Sequence, residues 1–381
     1  MSLMKSSVVK VLAAAALPWL LAASATAQPG DGERSRPVAP GEVRTTRTST
    51  PARGARRTGR KPSAPVISRE ERDKARAREL FYSGYAHIQK REYDAAIRDN
   101  TEAIRLDPRF TEAYVNRGFA HIEKRNYDAA VGDLTEAIRL APQYALAYFN
   151  RGNAYSGKRD YDAAIRDFTE AIRLNPGANA FERRGSVYFG KRDYDAALRD
   201  YTEAIRLDPR FALAYGNRTA VHNQQGRYDA AIRDATEAIR LAPQFAWAFV
   251  QRGYAHAQKG EHDAAIRDYT EGIRLDPGNS LAYNNRGWEY VLKGEYDAGI
   301  RDATEAIRIS PQFANAYDTR AAAYNGKGDY HAAVRDATEA IRLNPRNAVH
   351  YETRATSYEK LGERERAHVD RAKARELKSN Q

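Results

Sequence analysis

Apolar and small residues recur along most of the chain at spacings of three and four with charged residues between them, and the alternation by two that marks a half-buried strand is absent. The stretch from Tyr148 to Pro176 shows the unit. One helical run covers Asn150 to Gly157, a break follows at Lys158-Arg159-Asp160, and a second run from Tyr161 to Leu174 stops before Pro176. Glycine gives such breaks backbone freedom, and Asp, Glu or Asn suits the N-cap of the incoming helix. Proline lacks an N–H and crowds the residue before it, so it ends the second run. Prolines 108, 142, 176, 209, 243, 277, 311 and 345 repeat that stop every 34 residues, with one interval of 33. A small residue stands 24 positions ahead of each: Gly84, Gly118, Gly152, Gly185, Thr219, Gly253, Gly287 and Ala321. The single deletion therefore falls between Pro176 and Gly185. A fixed period of this size predicts an array of helical hairpins, stabilised by contacts between neighbours rather than by one central core.

Within each hairpin an aromatic stands at position four of the first helix (Tyr114, Tyr148, Phe181, Tyr215, Phe249, Tyr283, Tyr317). Alanines allow close approach in the second (Ala130, Ala164, Ala197, Ala231, Ala265, then Ala137, Ala171, Ala204, Ala238). Gly272 and Gly299 replace alanine at two such places, at about 1 kcal/mol of helix propensity each. These positions, with the terminal proline, resemble the tetratricopeptide repeat family over about residues 77 to 381. The resemblance implies an all-α fold, an α-solenoid of helix-turn-helix repeats forming a right-handed superhelix, with a concave groove lined by the first helices. Repeats fall at about 77–110, 111–144, 145–178, 179–211, 212–245, 246–279, 280–313 and 314–347, with a capping repeat at 348–381 whose last helix is charged nearly all round. Ser68 and Glu71 form a capping box that opens the ordered array at 69.

Where the family usually has Leu, this chain has Arg117, Arg151, Arg184, Arg218, Arg252, Arg286, Arg320 and Arg354, matched by Asp99, Asp133, Asp167, Asp200, Asp234, Asp268, Asp302 and Asp336 on the second helices. Two readings follow: bidentate Arg–Asp links that clip helices together, or a basic row that binds a ligand. A semi-buried unpaired arginine is costly, which favours the links.

Catalytic patterns fail on inspection. Gly152 to Lys158 and Gly185 to Lys191 read GxxxxGK, but Arg follows where a phosphate loop needs Ser or Thr, and no strand precedes. His87, His121, His222 and His256 occupy positions that other copies fill with Tyr155, Tyr188, Tyr290 and Tyr324, which argues for packing rather than metal ligation. The remaining acids are accounted for by caps and by i,i+4 pairs such as Arg166 with Glu170. The chain is expected to be no enzyme and to need no cofactor or metal.

The family's groove positions map here onto Phe81, Tyr85 and Ile88, onto Val115, Phe119 and Ile122, and onto Phe149 and Asn153. Later copies place Trp247, Val250 and Tyr254, then Leu281, Asn284, Trp288 and Val291 there. Middle copies are plainer, with Glu182, Ser186, Gly216 and Ala220, so two apolar patches are expected. The aromatics act either as interface anchors or as cover for neighbouring repeats. The lysine-rich clamp of chaperone-binding relatives is not matched, since Phe, Val or Glu stands at its lysine position. An asparagine row at Asn116, Asn150, Asn217 and Asn285 resembles that of the O-linked N-acetylglucosamine transferase repeats, and suits paired hydrogen bonds to an extended peptide. Arg183 and Gln251 interrupt it.

Composition changes the picture only at the amino end. Lys5 and Lys10, the apolar run from Val11 to Ala23 and Ala25-Thr26-Ala27 predict a cleaved signal peptide at 1–27, with an uncleaved anchor as the competing reading. The expected location is exported, periplasmic or secreted, with no transmembrane segment after cleavage. Zero cysteines exclude disulfides, thiol chemistry and a lipid-anchored N-terminal Cys. Residues 28–68 read as a disordered linker rich in Arg and Pro. Nine Lys or Arg there face Asp31, Glu33 and Glu42, so with the two signal lysines +8 of the formal +12 lies outside the repeats. No aromatic is interleaved for base stacking, so no nucleic acid partner is expected.

Two function classes remain. One is a scaffold that holds a peptide or helix of a partner protein in its groove. The other is a tether in which the basic linker touches an anionic polymer and the repeats act as spacer.

Overall fold

The computed structural model describes residues 68–379. The segment expected to direct export, and the basic linker up to residue 67, lie outside the described residues. Among the described residues there are 18 α-helices and no strand, in two compact units, 68–196 and 197–379. In the first unit α1 (Arg69–Gln89) pairs with α2 (Tyr93–Leu106), α3 (Thr111–Glu123) with α4 (Tyr127–Leu140), and α5 (Ala145–Gly157) with α6 (Tyr161–Leu174). α7 (Ala178–Gly190) follows against α6. The boundary falls in α8 (Tyr194–Leu207). In the second unit the hairpins are α9 (Ala212–Gln224) with α10 (Tyr228–Leu241), α11 (Ala246–Gln258) with α12 (His262–Leu275), α13 (Ser280–Lys293) with α14 (Tyr296–Ile309), α15 (Ala314–Lys327) with α16 (Tyr330–Leu343), and α17 (Ala348–Lys360) with α18 (Arg364–Ser379).

Within each unit a second helix also packs on the first helix of the next hairpin, and successive first helices touch, so each unit is a helical-repeat solenoid. Burial follows that stacking. Phe81, Ala103, Val115, Leu134 and Ala147 come from three successive hairpins and form one cluster, and Phe149, Ala164, Phe168 and Val187 form the next.

Local chemistry explains the boundaries. Ser68 Oγ accepts from the Glu71 N–H at 3.2 Å while Glu71 Oε2 accepts from the Ser68 N–H at 2.8 Å, which closes the expected capping box. At the hairpin breaks Asp160, Asp193 and Asp329 accept from the backbone N–H of Ala163, Ala196 and Ala332 at 3.1, 3.1 and 3.0 Å. Glu92, Glu261 and Glu295 stand at the same place without capping, because their longer carboxylates reach His87, His256 and Lys293 instead.

The small residue inside each first helix sets how tightly the hairpin closes. A Cβ on Gly118 would lie 2.8 Å from Leu134, and one on Gly152 would lie 2.9 Å from Phe168. Where Thr219 and Ala321 replace glycine, the residue 16 positions on is Ala235 or Ala337, so volume has moved from one helix to the other.

The arginine row forms links, and each link ties three helices. Arg252 Nε and Nη2 donate to Asp268 Oδ2 and Oδ1 at 2.9 and 2.8 Å, while Nη1 donates to Thr236 Oγ1 of the preceding hairpin at 3.1 Å. Arg117, Arg151, Arg218, Arg286, Arg320 and Arg354 repeat this with Asp133, Asp167, Asp234, Asp302, Asp336 and Asp370, and with a threonine on the preceding second helix. Each guanidinium also lies 5.6 to 5.9 Å from the ring of the aromatic three residues before it.

The pairing is shifted by one copy from the row of acids that starts at Asp99. Ser83 stands where Asp99 would need an arginine, and Asp370 completes the far end. The expected Arg166–Glu170 pair is not formed. Glu170 takes a bidentate bond from Arg173, three residues on and better aligned for the fork, at 2.9 and 2.6 Å.

Candidate functional site

The residues nominated as groove lining divide by exposure. Phe81, Val115, Phe119, Phe149, Trp247 and Val250 are buried, Val115 at 0% and Trp247 at 5% relative exposure. Their partners are internal. Phe81 stacks against Phe110 with ring centroids 5.0 Å apart, and Phe149 meets Phe168 edge-on at 5.7 Å. Val250 belongs to a cluster with Ala265, Tyr269, Ile273 and Ala282. These side chains pack inside the helix stack, within and between hairpins, rather than standing out as anchors. Phe149 on Phe168 and Val250 on Ala265, Tyr269 and Ile273 close their own hairpins, while Phe81 on Phe110 and Val250 on Ala282 reach the next one.

The row one residue after the small position is mixed, with Phe119 and Ala220 buried but others not. Tyr85, Asn153, Tyr254 and Trp288 are half-buried and keep part of each side chain on the surface. Tyr254 and Trp288 belong to α11 and α13, whose helices touch within the second unit. Burial pushes the Tyr254 hydroxyl far above the usual phenol range, so it stays a neutral donor at any physiological pH.

The asparagine row is internal as well. Asn116, Asn150, Asn217 and Asn285 are all buried. Asn285 hydrogen-bonds the Tyr269 hydroxyl, whose pKa burial raises well above normal. Asn150 has no such partner, since the residue 16 positions before it is Leu134; both polar atoms of its amide are buried without a hydrogen bond among the described residues.

Several polar constellations carried a weaker sequence signal. The threonine of each DxTE segment (Thr101, Thr135, Thr169, Thr202, Thr236, Thr270, Thr304, Thr338) was legible as a constant and is the acceptor that completes each arginine link. His262 replaces the tyrosine that opens other second helices, and its Nδ1 lies 2.6 Å from the Glu289 carboxylate, which burial pushes up. His350 is buried 3.3 Å from Asp318 and 3.0 Å from Asn347 Nδ2. His121 and His222 have their pKa values lowered by burial. No group of three or more His, Cys, Asp or Glu residues is arranged to hold a metal among the described residues. Among them no helix is long and apolar enough to cross a membrane.

Family models described as tetratricopeptide repeat match residues 83–145, 182–246 and 250–313 with one model, 145–177 with a second and 314–347 with a third. No curated protein matches. Among solved structures, the APC/C hetero-tetramer Cut9-Hcn1 is similar at 17% identity and TM-score 0.57, covering 73% of this chain and 55% of that one. A tetratricopeptide repeat protein from Parabacteroides merdae is similar at 19% identity and TM-score 0.52, covering 65% and 98%. YrrB, described as a tetratricopeptide repeat protein with an unusual peptide-binding site, is 23% identical at TM-score 0.41, covering 48% and 95%. The chain thus spans about half of the Cut9-Hcn1 chain it matches.

Proposed function

The chain belongs to the tetratricopeptide repeat family, and from that premise we propose that it is an exported, non-catalytic scaffold that holds an extended segment or helix of a partner protein. Helical repeats of this kind are in general protein-interaction scaffolds, and a stack of hairpins offers a long continuous face rather than a reaction chamber. The observation that carries the finer reading is the pair Tyr254 and Trp288, one repeat apart on touching first helices, each only partly covered by its own chain. Large amphipathic rings held on rigid helices are the usual anchors of such interfaces, and truncating one typically costs about 2 kcal/mol or more. The binding surface is therefore narrower than the groove positions nominated from sequence. It comprises Tyr85 and Asn153 in the first unit and Tyr254 and Trp288 in the second, with the buried members acting as support.

A second reading rests on the charge distribution. The linker at 28–68 carries nine basic residues against three acidic ones, enough for a salt-sensitive contact with an anionic envelope polymer. Capture from the exporting cell's envelope with chains 28–381 and 68–381, washed at 50 and 200 mM salt, separates the two. Groove binding predicts the same salt-resistant partner on both chains, released by Trp288→Ala with Tyr254→Ala. Dependence on the linker with a loss of about a thousandfold in affinity between those salt concentrations would overturn it in favour of the tether.

A further inference from the structure

The hairpin turns of the two units are built differently. In the first unit the residue that turns left-handed is arginine every time, at Arg91, Arg125, Arg159 and Arg192, with φ of +61 to +63°. In the second unit it is glycine at Gly226, Gly260, Gly294, Gly328 and Gly362, with φ of +71 to +84°. A side chain with a Cβ is disfavoured in that region, and arginine offers the backbone no local compensation of the kind Asn or Asp provides. A strained residue kept at every turn of one unit points to a use for its side chain.

All four arginines are exposed, and none makes a hydrogen bond or ion pair among the described residues. The carboxylates beside them are engaged. Glu92 meets His87, Asp94 meets Lys124, Glu123 accepts from the Tyr93 hydroxyl, Asp128 meets Lys158, and Asp162 meets Lys191, while Asp160 and Asp193 cap helices. At the first turn Arg91, Arg98 and Lys124 line an open cleft of about 380 Å³, closed by Glu92, Tyr93, Asp94 and Ala95. Arg91 and Arg98 thus line one cleft with no hydrogen-bonded acid among the described residues, and the nearest carboxylate to Arg98, that of Asp94, is already held by Lys124. The third hairpin repeats the set as Arg159, Arg166 and Lys191, whereas the second has Gly132 in place of the helix arginine.

We propose that this turn edge of the first unit binds a phosphate-bearing ligand, with one subsite at Arg91 and Arg98 and another at Arg159 and Arg166. Two forks lining one cleft suit a group with three peripheral oxygens, whereas a carboxylate is satisfied by a single fork. Hairpins stack about 10 Å apart, so subsites two hairpins apart are bridged by a chain of phosphates, which gains avidity from engaging both.

The test is calorimetric titration of the full chain with tripolyphosphate, with long-chain polyphosphate and with poly-glutamate of similar charge, at fixed ionic strength. Arg91→Gly with Arg159→Gly installs the residue the backbone prefers, so the melting temperature should hold or rise. Polyphosphate affinity should fall about tenfold or more, and two tripolyphosphate equivalents should be lost; the linker's contribution is common to both proteins and cancels. Arg98→Gln with Arg166→Gln, on helix faces without strain, should give the same loss. Unchanged isotherms in both variants would overturn the site. Poly-glutamate bound as tightly as polyphosphate, and lost equally in the variants, would overturn the phosphate assignment in favour of an acidic polypeptide.

Discussion

At the scale of single residues the chain is organised by a side chain that its family does not require. Arg252 uses Nε, Nη2 and Nη1 to join α11 to α12 and to the Thr236 hydroxyl on α10, and its guanidinium also lies over the Phe249 ring at 5.7 Å. Breaking one partner leaves a largely buried charge without its match. Asp268→Asn should therefore cost about 2 kcal/mol, and the cycle of Asp268→Asn with Arg252→Gln should show strong coupling in urea unfolding. Additive losses would mean that the links only decorate contacts made by the helices.

Histidines in tyrosine positions predict a second residue-scale effect. Burial lowers the pKa of His222 in the folded state, beside Asp234, Arg218, Arg227 and Arg233. A histidine depressed by folding contributes stability that is full above its unfolded pKa of about 6.5 and falls as pH drops below it. His222→Tyr should flatten the decline in melting temperature between pH 7.5 and 5. The same decline in the variant would place its cause elsewhere.

At the scale of elements, hairpin pairing, repeat period and most helix ends were legible, because proline, glycine and the spacing of apolar residues act locally; α5, however, begins at Ala145, five residues before the run read from Asn150, since no side-chain cap marks its start. The Arg–Asp register was not. It depends on which second helix lies beside a given first helix, and sequence spacing alone allows either neighbour; Asp99 and Asp370 show the one-copy shift. The links also stop themselves. Ser83 supplies no guanidinium at one end, and Ala372 supplies no hydroxyl at the other, where each internal second helix has threonine two residues after its aspartate. Hairpin closure is set by paired volumes, so Gly152→Val, which drives a branched side chain into Phe168, should cost about 1 to 3 kcal/mol by thermal unfolding. A near-neutral result would show that α5 and α6 separate without cost.

At the scale of the whole molecule the candidate surface was only partly legible. A helical period identifies residues that share a face, and it does not say whether the next hairpin covers that face. Phe81, Val115, Phe149 and Trp247 looked like anchors because they are large and apolar, and those same properties draw them into the packing between helices. The asparagine row was misread in a similar way: Asn285 serves the buried Tyr269 hydroxyl, and the other amides lie inside with it. What stays partly accessible on the first helices is Tyr85, Asn153, Tyr254 and Trp288, each one residue after the small position, whereas Phe119 and Ala220 of the same row are buried. The central claim is that this row, and not the charged surface of the second helices, meets the partner. A photo-crosslinking residue placed in the producing cell at position 254, at 288, and at exposed Arg301 on α14 as a control tests it most directly. The account predicts the same protein crosslinked from 254 and 288 and not from 301. Crosslinks from 301 alone, or to no protein from either groove position, would contradict it.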